Sequence, residues 1–212
     1  MKIINASYEI ITPLNGNEIL KHIEQVARTC YKSEDKITDG SAEKMVRALI
    51  KGGHTAMLEH YSFTVKFICD RGVTHEIVRH RLASYAQEST RYCNYSKGKF
   101  GSELTFIKPC FFDDNSREYR LWCEAMQKAE DEYLELINSG ATPEQARDVL
   151  PTSVKTELCM TTNLTEWRHF FKLRAVGVTG KPHPQMTELA VPLLKEVKNK
   201  IPVVFDDIIV NG

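Results

Sequence analysis

The chain has 212 residues, 42% of them hydrophobic and 26% charged, with 28 Lys and Arg balanced by 28 Asp and Glu to a formal charge of zero. A nucleic-acid-binding domain carries a basic surplus, so this balance argues against a nucleic-acid partner, and the apolar share argues for a sizeable core rather than disorder. The start, Met1-Lys2-Ile3-Ile4-Asn5, lacks a basic stretch followed by an apolar run of signal-peptide length, and no run approaches the ~20 apolar residues of a spanning helix, so the expectation is a soluble, cytoplasmic protein without a membrane partner.

In chain order, Ile3 to Ile11 has strand composition, and Ile19, Ile23, Val26, Ala27 and Cys30 then recur at helical spacing. A second helix follows Ser41, with Met45, Val46, Leu49 and Ile50 on one side, and stops at Gly52-Gly53. Phe63, Val65, Phe67 and Cys69 alternate with Ser62, Thr64 and Lys66, the period of a strand with one buried face. A helix is expected from Val73 through Leu82. Further on, Leu121, Trp122, Ala125, Met126, Ala129, Tyr133 and Ile137 make Ser116 to Asn138 an amphipathic helix ended by Gly140. Thr142-Pro143-Glu144-Gln145 is a capping box with proline at the first helical position, predicting a short helix to Leu150 before Pro151. Val154, Thr156, Leu158 and Met160 alternate as a strand, and Leu164 to Val176 reads as a helix. With no repeats, low-complexity tracts or linker, residues 1–212 are expected to form a single domain of α/β or α+β class.

The six cysteines, Cys30, Cys69, Cys93, Cys110, Cys123 and Cys159, contain no Cys-x-x-Cys pair, which argues against a zinc ribbon or redox dithiol. His75-Glu76-Ile77-Val78-Arg79-His80 is one residue longer than the zinc-protease motif and sets its histidines about 140° apart on a helix, so no metal is expected.

The segment Arg79-His80-Arg81-Leu82-Ala83-Ser84-Tyr85-Ala86-Gln87-Glu88-Ser89-Thr90-Arg91-Tyr92 holds three arginines, a histidine and several hydroxyls against one carboxylate. In a neutral chain that composition suits a small phosphorylated molecule. At 100° per residue from Val73, Arg81 lands at about 80°, inside the arc of Val73, Ile77, Val78 and Leu82. A guanidinium buried there needs an anion, a carboxylate or another subunit. The bland alternative is a set of surface pairs, His75 with Arg79 and Glu76 with His80.

Arg79-His80-Arg81, seven residues, then Ser89 matches the R-H-R-x7-S signature, and on it the chain resembles the flavin-dependent thymidylate synthases. The likeness extends to Gly53-His54-Thr55-Ala56-Met57-Leu58-Glu59-His60, to Ala146-Arg147-Asp148-Val149-Leu150-Pro151 and to Asn163 through Arg174. It implies mixed α/β subunits, a central, mostly antiparallel sheet flanked by helices, and a homotetramer with active sites at subunit interfaces. The implied reaction converts dUMP to dTMP, with methylenetetrahydrofolate as one-carbon donor and NADPH-reduced FAD as hydride donor. A non-catalytic protein that binds nucleotide or flavin for regulation is the alternative.

The resemblance assigns activation of the pyrimidine to Arg174, a guanidinium stabilising charge that develops on the ring, rather than to a cysteine. Cys93 lies beyond Tyr92, and Cys110 is followed by Phe111 rather than histidine. His54 matches a histidine implicated in folate handling and flavin access. Ser89, Thr90, Arg91 and Arg147 match phosphate-binding positions, and Glu76, Ile77, Val78, Arg79, Gln87 and Glu88 match further dUMP-lining positions. Carried-over flavin positions are Ala56, Glu59, Arg79, His80, Arg81, Gln87, Asn163, Leu164, Thr165 and His169. There is no G-x-G-x-x-G, so FAD binding does not rest on a Rossmann loop. Ala56 stands where many members have Ser or Thr, and Thr165 replaces an arginine common in the family, which weakens one expected FAD phosphate contact.

Overall fold

Helix starts follow the capping chemistry of the sequence. A computed structural model describes residues 1–93, 95 and 103–210. Asn15 accepts the N–H of Glu18 at the start of α1 (Gly16–Thr29), and Ser116 accepts that of Tyr119 at the start of α4 (Arg117–Asn138). Both expected capping-box bonds form at α5 (Pro143–Ala146): Thr142 N–H to Gln145 Oε1 at 2.9 Å and Gln145 N–H to Thr142 Oγ1 at 3.3 Å. The coil then tightens into a 3-10 turn at Arg147–Val149 instead of running on as α-helix. Between these lie α2 (Ser41–Lys51) and a 3-10 turn at Thr55–His60.

The strand expected over Ile3 to Ile11 is two strands. β1 (Lys2–Ile4) pairs in parallel with β5 (Thr105–Ile107), Lys2 opposite Thr105 and Ile4 opposite Ile107. β2 (Ser7–Ile10) joins a different, four-stranded sheet, in the order β2, β3 (Ser62–Asp70), β6 (Lys155–Asn163), β4 (Ala83–Gln87). One apolar stretch therefore serves two sheets, and Asn5-Ala6 is the break. In the larger sheet β3 (Ser62–Asp70) and β6 (Lys155–Asn163) alternate buried and partly exposed residues, as their sequence period requires. They run antiparallel: Leu164 N–H donates to Tyr61 O at 3.0 Å, and Thr64 meets Thr161 at 2.8 Å between hydroxyls. Mixed α/β architecture with an antiparallel sheet is thus as expected.

The contacts divide into two compact units, Met1–Ser7, Phe67–Arg79 and Ala86–Leu158 in the first and Tyr8–Lys66, His80–Tyr85 and Cys159–Gly212 in the second. In the first, α4 buries Met126 and Tyr133 with Leu104, Phe106, Ala146 and Val154. In the second, Trp167 on α6 (Leu164–Phe171) stacks on Phe63 with centroids 4.7 Å apart, and Phe171 meets Phe205 edge-on. The C-terminal helix α7 (Pro184–Lys200), for which the sequence reading offered no element, adds Leu189, Leu193 and Val197 to buried positions.

The largest correction concerns the arginine motif. The expected helix through Leu82 ends at Ile77: α3 (Arg71–Ile77) is capped by Asp70, whose carboxylate accepts the Val73 N–H at 2.8 Å, and the chain re-enters a strand at β4 (Ala83–Gln87). Two hydroxyls take carbonyls of the connecting turn, Tyr85 at His80 O and Thr162 at Leu82 O, each at 2.6 Å. Arg81 consequently lies on no helix and is exposed, so the apolar-arc argument for its burial fails, while His80 is the buried member at 3% exposure.

Candidate functional site

Asn163-Leu164-Thr165-Glu166 opens α6, with Asn163 Oδ1 accepting the Glu166 N–H at 2.9 Å. In a capping box a glutamate at this third position reaches back to the N–H of the cap residue. Glu166 instead turns its carboxylate to His80, Oε1 to Nδ1 at 2.9 Å, and the backbone N–H of Arg81 also donates to it. On the other side of the ring, Arg174 Nε–H donates to His80 Nε2 at 3.0 Å.

A guanidinium has donors only, so Nε2 must accept and cannot carry a proton. His80 is therefore neutral, protonated at Nδ1, and donates to Glu166. The electrostatics agree. Burial pushes the imidazole down to about 4, reinforced by the positive Arg174 and by His169. Burial pushes the Glu166 carboxyl up to about 7, against the Arg81 N–H that favours its charged form. Phe170 and His169 meet the His80 ring at centroid distances of 5.0 and 5.7 Å.

Arg174 reaches this position because the helix widens. Lys172–Val176 form a π-helical turn, closed by Gly177 N–H to Lys172 O at 2.9 Å. Gly177 ends it at φ 78°, a conformation that favours glycine, and an added Cβ would stand 2.7 Å from Gly180 O.

His80, Glu166 and His169 place potential metal-ligand atoms within 4.8 Å of one another. The Arg174 guanidinium puts a positive charge against the same ring, and both nitrogens of His80 already have partners, so the cluster favours the hydrogen-bonded relay over a cation.

Other expected site residues of the second unit surround the start of α6. Thr165 Oγ1 donates to Thr55 O at 2.7 Å, joining α6 to the 55–60 turn, on which Ala56 and Glu59 are exposed. Leu164 is fully buried, so its side chain belongs to the core. His54 is exposed and borders a hollow of about 300 Å³ with Cys30, Tyr31, Met45, Leu49 and Met57.

In the first unit, Ile77 is buried, whereas Val78 and Arg79 are exposed and Glu76 partly so. Gln87 donates to Thr74 Oγ1 at 3.1 Å and Thr156 Oγ1 at 3.4 Å. Glu88 takes the Lys155 ammonium at 2.9 Å and the Tyr95 hydroxyl at 3.0 Å. Ser89 Oγ accepts the Arg91 N–H at 3.2 Å, Thr90 is buried, and Arg91 pairs with Glu144 at 2.9 Å. Arg147 lies on the turn after α5. The thiol of Cys69 is pushed far up by burial, which makes it a poor nucleophile.

Glu166, Tyr85 and Thr162 are the residues the sequence reading passed over. Asn163-x-x-Glu166 is visible as a capping pattern, but nothing local says that its carboxylate is diverted to a residue 86 positions away.

Residues 14–203 match the family model described as thymidylate synthase complementing protein. A flavin-dependent thymidylate synthase of Pyrococcus furiosus is 35% identical over 170 residues, 80% of this chain and 68% of the relative. One of Geobacter sulfurreducens is 32% identical over 188 residues, 85% of this chain and 78% of the relative. Among solved structures, a UMP/dUMP methylase PolB from Streptomyces cacaoi, bound with 5-Br dUMP, superposes with TM-score 0.79 at 23% identity, covering 97% of this chain and 96% of that one, a likeness of fold. No described helix is long and apolar enough to cross a membrane.

Proposed function

The chain belongs to the thymidylate synthase complementing protein family, the flavin-dependent thymidylate synthases, and from that membership we propose that it methylates dUMP to dTMP, with methylenetetrahydrofolate as carbon donor and NADPH as reductant of bound FAD. The family match takes in segments of both compact units, which supports reading residues 1–212 as one functional domain. The observation that carries the chemistry is the bond from Arg174 to a buried, neutral His80, which holds the guanidinium in one plane.

Uracil carbon 5 is a weak nucleophile, and it attacks the folate methylene only when negative charge on the ring is stabilised. A fixed guanidinium supplies that stabilisation without reorganising during the reaction. Arg174 is the residue for this role, with no thiol adding to the ring.

The donor chemistry of the chain suits the flavin. In the second unit Arg81 and His169 are exposed and offer donors to a diphosphate, and Asn163 and Thr165 flank the start of α6. When bound, reduced FAD supplies the hydride that completes the methyl group. In the first unit Ser89, Thr90, Arg91 and Arg147 supply hydroxyl and guanidinium donors for the dUMP phosphate, with Glu76, Ile77, Val78, Arg79, Gln87 and Glu88 lining the nucleotide. Assembly as a homotetramer is part of the reading, with neighbouring subunits sharing these sites. His54, at the mouth of its hollow, handles folate and flavin access.

The test is direct. Protein reconstituted with FAD should be yellow, bleach anaerobically with NADPH, and release tritium from carbon-5-labelled dUMP only when folate is present. dUMP binding without tritium release under those conditions would replace the enzyme with the regulatory binding protein.

A further inference from the structure

The geometry points to Glu166 as a positioning residue that sets the orientation of Arg174 through His80. This rests on the reading that Arg174 activates the pyrimidine, and adds to it a second residue that need not touch substrate or flavin.

The relay has three members, joined by two hydrogen bonds, and only one polarity. Arg174 Nε–H donates to His80 Nε2 at 3.0 Å, which forces the imidazole proton to Nδ1, and Nδ1–H donates to Glu166 Oε1 at 2.9 Å. Were Glu166 replaced by a group that donates instead of accepting, His80 would have to present a proton at Nε2, facing the Arg174 Nε–H. Two donors would then meet, and the arginine would have to turn away. The carboxylate therefore selects the tautomer on which the bond from the arginine depends.

Glu166 and His80 are each held by something other than the relay. Glu166 is fixed at the start of α6 by the Asn163 cap at 2.9 Å, and His80 by the Tyr85 hydroxyl on its carbonyl at 2.6 Å. The His80 side chain is 2% exposed and that of Glu166 12%, so water competes little for either bond. Held in this way, His80 turns a flexible arginine into a guanidinium of defined plane, which is what electrostatic stabilisation of a developing charge requires.

The experiment is a double-mutant cycle on holoenzyme, with flavin content and thermal melting as controls. Glu166→Leu, which removes the acceptor, is expected to lower kcat by about 10-fold to 100-fold, with KM for dUMP and bound FAD within about twofold of wild type, the loss that small misorientation of a reacting group produces. Glu166→Gln should recover part of the loss, since its carbonyl oxygen can accept the Nδ1–H. Glu166→Leu combined with Arg174→Ala should fall no further than Arg174→Ala alone, since Glu166 acts only through the arginine. Multiplicative losses in the double variant, or an unaltered kcat in Glu166→Leu, would overturn the proposal. If Arg174→Ala itself turned over normally, the functional reading would fail instead. As a check independent of any Glu166 variant, ¹⁵N-histidine NMR of the holoenzyme should show His80 protonated at Nδ1 and bare at Nε2, and the opposite tautomer would overturn the relay.

Discussion

Phe63 and Trp167 are joined twice, by rings stacked at 4.7 Å with 15° between their planes and by the indole N–H donating to Phe63 O at 3.2 Å. The pair pins α6 to β3 one residue after Glu166. Phe63→Ala, at a position with no exposed surface, should cost about 3–5 kcal/mol in chemical denaturation. Trp167→Phe keeps a ring in place but strips Phe63 O of its donor, so a loss of about 1–3 kcal/mol is expected.

Arg168 holds Asp207 by two bonds of 2.6 Å and also donates to Val204 O. The guanidinium holds the Asp207 carboxyl below its ordinary range. A depressed carboxyl contributes stability above its unfolded value near 3.8, and that contribution disappears as pH falls through the lower, folded value. Asp207 is 47% exposed, so solvent screens part of the effect. Asp207→Asn should reduce stability at pH 7 by about 0.5–1 kcal/mol and flatten its acid dependence below pH 4, measured by melting across pH.

His80 and Glu166 should offset one another in acid. The imidazole is pushed from 6.5 down to about 4 and the carboxyl from 4.5 up to about 7. Between pH 4.5 and 6.5 the unfolded chain carries its proton on the histidine and the folded chain on the glutamate, so the proton counts match and stability is nearly independent of pH. Glu166→Gln leaves only the depressed histidine, and stability should then rise with pH across that window. His80→Gln leaves only the raised carboxyl, and stability should fall as pH rises. Equal slopes for both variants would contradict the pairing.

The two arginines of greatest interest should separate cleanly. Arg174→Ala is expected to keep fold and flavin while turnover falls by about 100-fold to 1,000-fold, the usual consequence of removing a donor aimed at developing charge. Arg81 is exposed, so Arg81→Ala should shift stability by no more than about 0.5 kcal/mol while lowering retained FAD. Flavin absorbance after gel filtration and single-turnover rates distinguish the two.

Strand and cap chemistry were legible in the sequence because they are local. β3 and β6 follow from alternation alone, and α4 and α5 from Ser116 and Thr142. The arginine motif was misread as helix because its apolar spacing fits one. The turn that follows α3 is held by bonds the spacing does not show, from the Thr162 hydroxyl to Leu82 O and from the Tyr85 hydroxyl to His80 O. Helical spacing points to Arg81, whereas the turn exposes Arg81 and buries His80. Among the motif residues, His80 and Arg174 were found only through the family resemblance. Glu166 escaped because its carboxylate leaves the local bond its spacing predicts. The helix at Pro184–Lys200 went unread, with Pro192 inside it.

The widened turn at Lys172–Val176 also makes Arg174 a matter of length as well as of residue type. A π turn holds one residue more than α geometry, which sets the side chains after it about 100° out of phase with the stripe that α6 buries. Removing a single residue from the turn, with the arginine retained, should restore an ordinary helix, leave α6 packed as before, and aim the guanidinium away from the imidazole. In this fold the length of that turn, as well as the residues at either end of the contact, decides whether the arginine meets its partner.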